Sequence, residues 1–293
     1  MLRVFPRILF RHAPGVLVAL LCAINAAAAA PKATRAKSIE IQYVPPKSDA
    51  LKPIYDYVRE SKGLEKVQAV LRPVRLPRRL LIKTESCDGD SNAWYDGEAV
   101  TICYEFLDDI WKNAATETHP SGLAPIDTLI GPFVDVVLHE VGHAVFDMLR
   151  IPLFGREEDA ADRFSAYIVL QTDKQEARRL ILGNAWQYKN DMRPGDPPAS
   201  LKVFANAHGT PQQRFFNVLC LAYGADKESF KDAVEKGYLP KDRAEGCEDE
   251  YNQVRYAFQT LIGPHLDRKL AAVTKSYLPS TQVKPKRRPT TGQ

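Results

Sequence analysis

No Cys-x-x-Cys pair occurs anywhere in the 293 residues, and no segment of the chain repeats. The first absence excludes the usual thiolate zinc modules, and the second excludes solenoids and propellers. Charge of one sign is also lacking. With 40 Lys and Arg against 36 Asp and Glu, the chain carries no electrostatic footprint for nucleic acid. The apolar run that starts at Pro14 is broken by Asn25 and falls short of the roughly 20 residues a membrane span needs.

That N-terminal run has the layout of an export signal over residues 1–30. Arg3, Arg7 and Arg11 precede the apolar core Pro14–Leu21, and the small residues Ala26 to Ala30 follow. Pro31 is a poor residue after a cut, so cleavage is expected after Ala28 or Ala29. Leu21 is too bulky in front of Cys22 for a lipidation signal. Loss of the segment removes three arginines and leaves 37 basic against 36 acidic residues. Residues 31–279 are then read as one domain. The basic end, 280–293, with Lys284-Pro285-Lys286-Arg287-Arg288-Pro289, has nothing to bury and reads as a disordered tail.

The mature chain keeps Cys87, Cys103, Cys220 and Cys247, an even count suited to the oxidising periplasm or the exterior. Four cysteines allow three connectivities. Cys87–Cys103 and Cys220–Cys247 are the economical choice, because each pair flanks its own local unit. A loop of about 15 residues closed in this way contributes on the order of 3 kcal/mol in the chain-entropy model.

The most informative stretch is Val136-Val137-Leu138-His139-Glu140-Val141-Gly142-His143-Ala144-Val145. Residues four apart share one helical face, so His139 and His143 can aim two imidazoles at one point. Glu140 sits beside that point, where a glutamate can take a proton from a water polarised by a metal. The flanks are free of charge, unlike those of an exposed surface helix, and Gly142 leaves room opposite the chelate.

Two imidazoles leave a tetrahedral site one protein ligand short. The metzincin continuation is absent, because Phe146 and Leu149 stand where its Gly and His would be. The better source is Gly155-Arg156-Glu157-Glu158-Asp159-Ala160-Ala161-Asp162. After His143 the helix can run about six residues, roughly 9 Å, before Ile151-Pro152 stops it. A returning helix would bring Glu158 to the metal, with Glu157 and Asp159 as alternatives. Asp162 would reach the outer nitrogen of a ligand histidine. Three acids in a row also suit an ordinary helix start.

Elsewhere, Ser38–Val44 alternates with period two, Leu80–Thr84 is a second strand, and Ala99–Tyr104 is a third after a turn at Tyr95-Asp96-Gly97. Leu51–Leu71 has helical spacing with a bend near Gly63. Helices are expected over 126–149, 156–171, 174–191, 211–225, 228–237 and 242–274. The fold class is therefore α+β, a small sheet with an edge-strand hairpin and a mainly helical remainder; a hairpin just before the histidine helix is zincin-like by analogy. His208, in the loop before Gln212, is a candidate oxyanion donor. Arg214 reads as either a structural or a substrate-carboxylate partner.

His-Glu-x-x-His followed by Glu158-x-x-x-Asp162 resembles the gluzincin zinc metallopeptidases. A closer resemblance, over most of the mature chain, is to a little-characterised bacterial metallopeptidase family of unknown function. It is carried by Cys87 through Asn92-Ala93-Trp94-Tyr95, by Ile102-Cys103-Tyr104-Glu105, by the two acidic and histidine motifs, and by Gln212-Gln213-Arg214-Phe215-Phe216-Asn217 with Cys220. The resemblance implies Zn2+ on His139, His143 and Glu158, with Glu140 as catalytic base. The expected activity is an exported peptidase acting on a peptide or protein. The rival readings are an envelope zinc-binding or maturation factor with a vestigial site, and a cell-wall peptide amidase.

Overall fold

A computed structural model describes residues 38–119, 122–192 and 201–267. The expected signal segment 1–30 and the tail 280–293 lie outside the described residues. Four strands, β1 (Ile39–Tyr43), β2 (Leu80–Glu85), β3 (Ala93–Tyr95) and β4 (Ala99–Cys103), form one sheet in the order β1-β2-β4-β3. β1, β2 and β4 run parallel, with Ile41 opposite Ile82 and Ile82 opposite Val100. A parallel neighbour needs a crossover, and α1 (Lys52–Glu60) with α2 (Gly63–Leu71) supplies the one from β1 to β2. β3 is antiparallel to β4 and forms one edge of the sheet. The Asp96 carboxylate closes their turn by accepting from the N–H groups of Glu98 and Ala99. Alternation places Leu80, Ile82 and Thr84 of β2 out of solvent, whereas all of β4, Ala99–Cys103, is buried on both faces.

The remaining elements are helical: α3 (Tyr104–Lys112), α4 (Asp127–Leu149), α5 (Glu157–Leu170), α6 (Lys174–Asp191), α7 (Pro211–Ala225), α8 (Lys227–Glu235), α9 (Lys241–Glu245) and α10 (Cys247–Leu261). The fold is α+β. Local chemistry sets the boundaries. Asp173 caps α6 by accepting from Gln175 N–H, and Thr210 with Gln213 makes a reciprocal capping box in front of Pro211 on α7. α3 is missing from the sequence reading, which ended the third strand at Tyr104 and left the following residues unassigned. Its apolar positions Tyr104, Leu107 and Ile110 do follow helical spacing and are buried. The expected last helix, 242–274, is two helices with a break at Gly246, and residues beyond 267 lie outside the described part.

α4 is the core helix. It is long and apolar enough to cross a membrane, but 72% of its most apolar window is buried inside the protein. Two close approaches seat it. At Gly131 an added methyl would stand 2.6 Å from the Leu180 carbonyl oxygen, and at Gly183 it would overlap the Asp127 carbonyl. These glycines let α4 and α6 pack backbone to backbone. Gly142, on the other side, faces Phe164 and Ala161 of α5.

Both expected disulfides are present. Cys87–Cys103 ties the loop after β2 to the end of β4, and Cys220–Cys247 ties α7 to the start of α10. Such bonds form and persist in oxidising compartments.

Gly183→Ala is expected to lower the unfolding free energy by about 1–3 kcal/mol, because backbone cannot move aside as a flexible side chain can. Urea unfolding followed by circular dichroism measures this. An unchanged midpoint would contradict the close crossing.

Candidate metal centre

α4 carries His139, Glu140 and His143, all facing a cleft that encloses about 1570 Å³ of empty space, open mouth included. The chain then reverses within seven residues. Arg150 takes a left-handed conformation (φ 52°), Ile151 N–H bonds back to the Phe146 carbonyl, and Gly155 (φ 108°) completes the turn. α5 therefore returns alongside α4 and delivers Glu157, Glu158 and Asp162 to the same end of the cleft. The three acids also stand in its first turn, where the helix dipole favours negative charge.

Three atoms converge. His139 Nε2 and His143 Nε2 are 3.2 Å apart, and Glu158 Oε2 lies 3.0 Å from the first and 3.3 Å from the second. The outer nitrogens are separately engaged. His139 Nδ1 lies 2.8 Å from Asp162 Oδ1, and His143 Nδ1 lies 2.8 Å from Glu157 Oε1. A neutral imidazole that donates through Nδ1 carries its lone pair on Nε2. Once both Nε2 atoms are deprotonated, two lone pairs and a carboxylate oxygen face one another, an arrangement a cation stabilises.

Without a metal, the surrounding acids favour a proton at the cluster. Burial works against charge on His139, but hydrogen bonds to Asp162 and Glu158 outweigh it and carry its pKa up to about 10. His143 is raised in the same way, with burial overcome by Glu158 and Glu157. Hydrogen bonds from His139, His143 and His208 hold Glu158 far below the ordinary carboxylate range. Burial opposes charge on Asp162, yet His139 and Arg214 bring its pKa down to about 2. Glu140, only 7% exposed, is pushed up by burial.

The sequence reading placed Asp162 against a ligand histidine, and the structure brings the two together. Glu157, considered there only as an alternative ligand, stands instead on the outer nitrogen of His143. His208, from the loop before α7, reaches the site: its Nε2 is 2.8 Å from Glu158 Oε2, and its ring stacks on His139 at 5.8 Å. Arg214 donates to both oxygens of Asp162, at 2.8 and 2.6 Å, and lies over the Tyr188 ring. It is therefore a structural partner of Asp162. Tyr188 in turn donates to the buried Asp135, which also accepts from Ser165. This buried network escaped sequence reasoning, because its members come from α4, α5, α6 and α7 and share no spacing. Cys87, Cys103 and Glu105 also stand close together, but both sulfurs are consumed by the disulfide.

In the metal-free protein the sign follows from His139. Its folded pKa lies above the ordinary value of 6.5, so the proton it holds stabilises the fold below that pH and is lost as pH rises towards about 10. A cation binding at neutral pH must displace it. Calorimetric titration with a divalent metal, in buffers of different ionisation enthalpy, is expected to show release of at least one proton per metal. No release would contradict the assignment. Asp162→Asn is expected to weaken metal binding by about 10–100-fold in a chelator competition.

No curated protein and no solved structure matches the chain. Residues 43–262, well over half of the chain, match the model of a family described as "Putative metallopeptidase", and the chain belongs to that family.

Proposed function

We propose that the protein is an exported zinc peptidase in which His139, His143 and Glu158 hold the metal and Glu140 is the general base. The convergence of two Nε2 atoms and one carboxylate oxygen at 3.0–3.3 Å carries this reading. Tetrahedral ligands bound to zinc at 2.0–2.1 Å stand roughly 3.3 Å from one another, and two nitrogens with one oxygen are a donor set zinc accepts. Family membership supports a peptidase, and a metal, without specifying zinc. The two disulfides support an oxidising compartment, consistent with cleavage of a signal over residues 1–30 and a single mature domain over 31–279.

When bound, zinc supplies Lewis acidity that polarises a carbonyl and makes a water acidic enough to lose a proton near neutral pH. The chain's own residues supply the rest. Glu140, carried on the helix turn between the two histidines, takes the proton of the attacking water and passes it to the leaving amine. Its burial favours holding that proton between the two steps. Asp162, gripped by Arg214, and Glu157 fix the two imidazoles so that each presents Nε2. His208, 46% exposed beside Glu158, is the donor available to the developing oxyanion. One cleft wall is the edge strand β3, with Ala93, Trp94 and Tyr95, and an extended peptide can be held there by backbone pairing.

Glu140→Gln is expected to retain the metal and lose cleavage of a peptide library by about 10²–10⁴-fold. His143→Ala is expected to lose the metal. Equal cleavage by wild type and Glu140→Gln would refute the general base. Cleavage confined to murein fragments would identify an amidase, and no cleavage at all a binding or maturation factor.

A further inference from the structure

A second cavity lies away from the metal, enclosed by α1, α2, α3, the first turns of α4 and the start of α6. Its cavity volume is about 60 Å³, or about 780 Å³ of empty space with the open mouth included, against about 710 and 1570 Å³ for the metal cleft. Its body is apolar: Ile54, Leu107, Ile110, Ile130 and Phe133 are among the side chains that line it. Phe133 reaches this position because α2 begins with a residue lacking a side chain, since a methyl on Gly63 would stand 2.9 Å from its ring.

Donors predominate among the polar groups at the cavity. Lys66, Tyr57 and Trp111 line it, and none of the three side-chain donors makes a hydrogen bond or salt bridge among the described residues. The Ser61 hydroxyl is occupied by the Val58 carbonyl. The single carboxylate, Glu176, is already engaged by Arg179 at 2.9 Å. Three donors without a hydrogen-bond partner among the described residues thus border an apolar chamber, and the one cation among them, Lys66, feels the carboxylates of Glu176 and Glu65. Burial lowers the Lys66 pKa against the opposing pull of Glu176 and Glu65, and raises that of Tyr57 to about 12. A pocket of this kind, apolar with a few convergent polar groups, is the usual form of a small-ligand site.

We propose that this cavity binds a compact apolar carboxylate, with a branched aliphatic or aromatic group against Phe133 and Ile130 and the carboxylate on Lys66. The same chemistry is offered by a free small acid and by the C-terminal residue of a peptide. The site shares α4 with the metal centre but none of its residues, so it stands or falls independently of the peptidase reading.

Isothermal calorimetry on the full chain tests it, with 3-phenylpropionate, its amide 3-phenylpropanamide, and N-acetyl-phenylalanine as a peptide C-terminus. The acid is expected to bind once per chain, and the amide about tenfold more weakly or worse. Lys66→Met should weaken the acid by a similar factor, and Lys66→Arg should restore it. Tighter binding of N-acetyl-phenylalanine than of 3-phenylpropionate would identify a peptide terminus, and the reverse a free acid. Equal binding of acid and amide, binding unaltered by Lys66→Met, or no saturable binding would overturn the proposal. Binding unaltered by Lys66→Met would instead belong to the metal centre, which His143→Ala removes, so the two sites are told apart.

Discussion

The hydrogen bond between His139 Nδ1 and Asp162 Oδ1 is the constraint on which the rest of the centre depends. It joins α4 to α5 beside the cleft-facing atoms and sets which nitrogen of His139 faces the cleft. Arg214 holds Asp162 from behind with two donors, and Tyr188 backs Arg214 with its ring. A largely buried Arg–Asp pair of this geometry is costly to break from one side, by about 3–5 kcal/mol, because the remaining charge is stranded. The position of His139 is therefore set by groups on three other helices, with the α4 backbone only its starting point.

The same arrangement stores an electrostatic demand. Packing brings two imidazole nitrogens and a carboxylate oxygen within 3.3 Å, where they repel unless something positive lies among them. Without a metal, the neighbouring acids shift both histidines towards the protonated form, Asp162 and Glu158 acting on His139 and Glu158 and Glu157 on His143. A divalent cation meets that demand with more charge than a proton and without using the Nδ1 hydrogen bonds. The close crossing at Gly131 and Gly183 holds α4 in place, so the cluster cannot relax by moving the helix.

Much of this was legible in the sequence because it is local or periodic. His139 and His143 are one helical turn apart. Ile151-Pro152 and Gly155 mark the reversal that carries Glu158 and Asp162 back to them, and both disulfides follow from proximity along the chain. What was illegible is what tertiary packing assembles. Arg214 meets Asp162 across 52 residues, and Tyr188 meets Asp135 across 53. Glu157 was ambiguous for a different reason: three consecutive acids point in three directions on a helix, and only the pose of α5 decides which one meets His143. α3 was overlooked because its apolar spacing follows directly on a strand, with no cap or breaker between Cys103 and Tyr104.

The most direct measurement of the central claim is X-ray absorption at the zinc edge of the purified protein, together with elemental analysis. One zinc per chain, with only nitrogen and oxygen neighbours at about 2.0–2.1 Å and an imidazole signature, is the result this account requires. A sulfur neighbour, or zinc retained at full stoichiometry after Glu158→Ala and His143→Ala together, would contradict it.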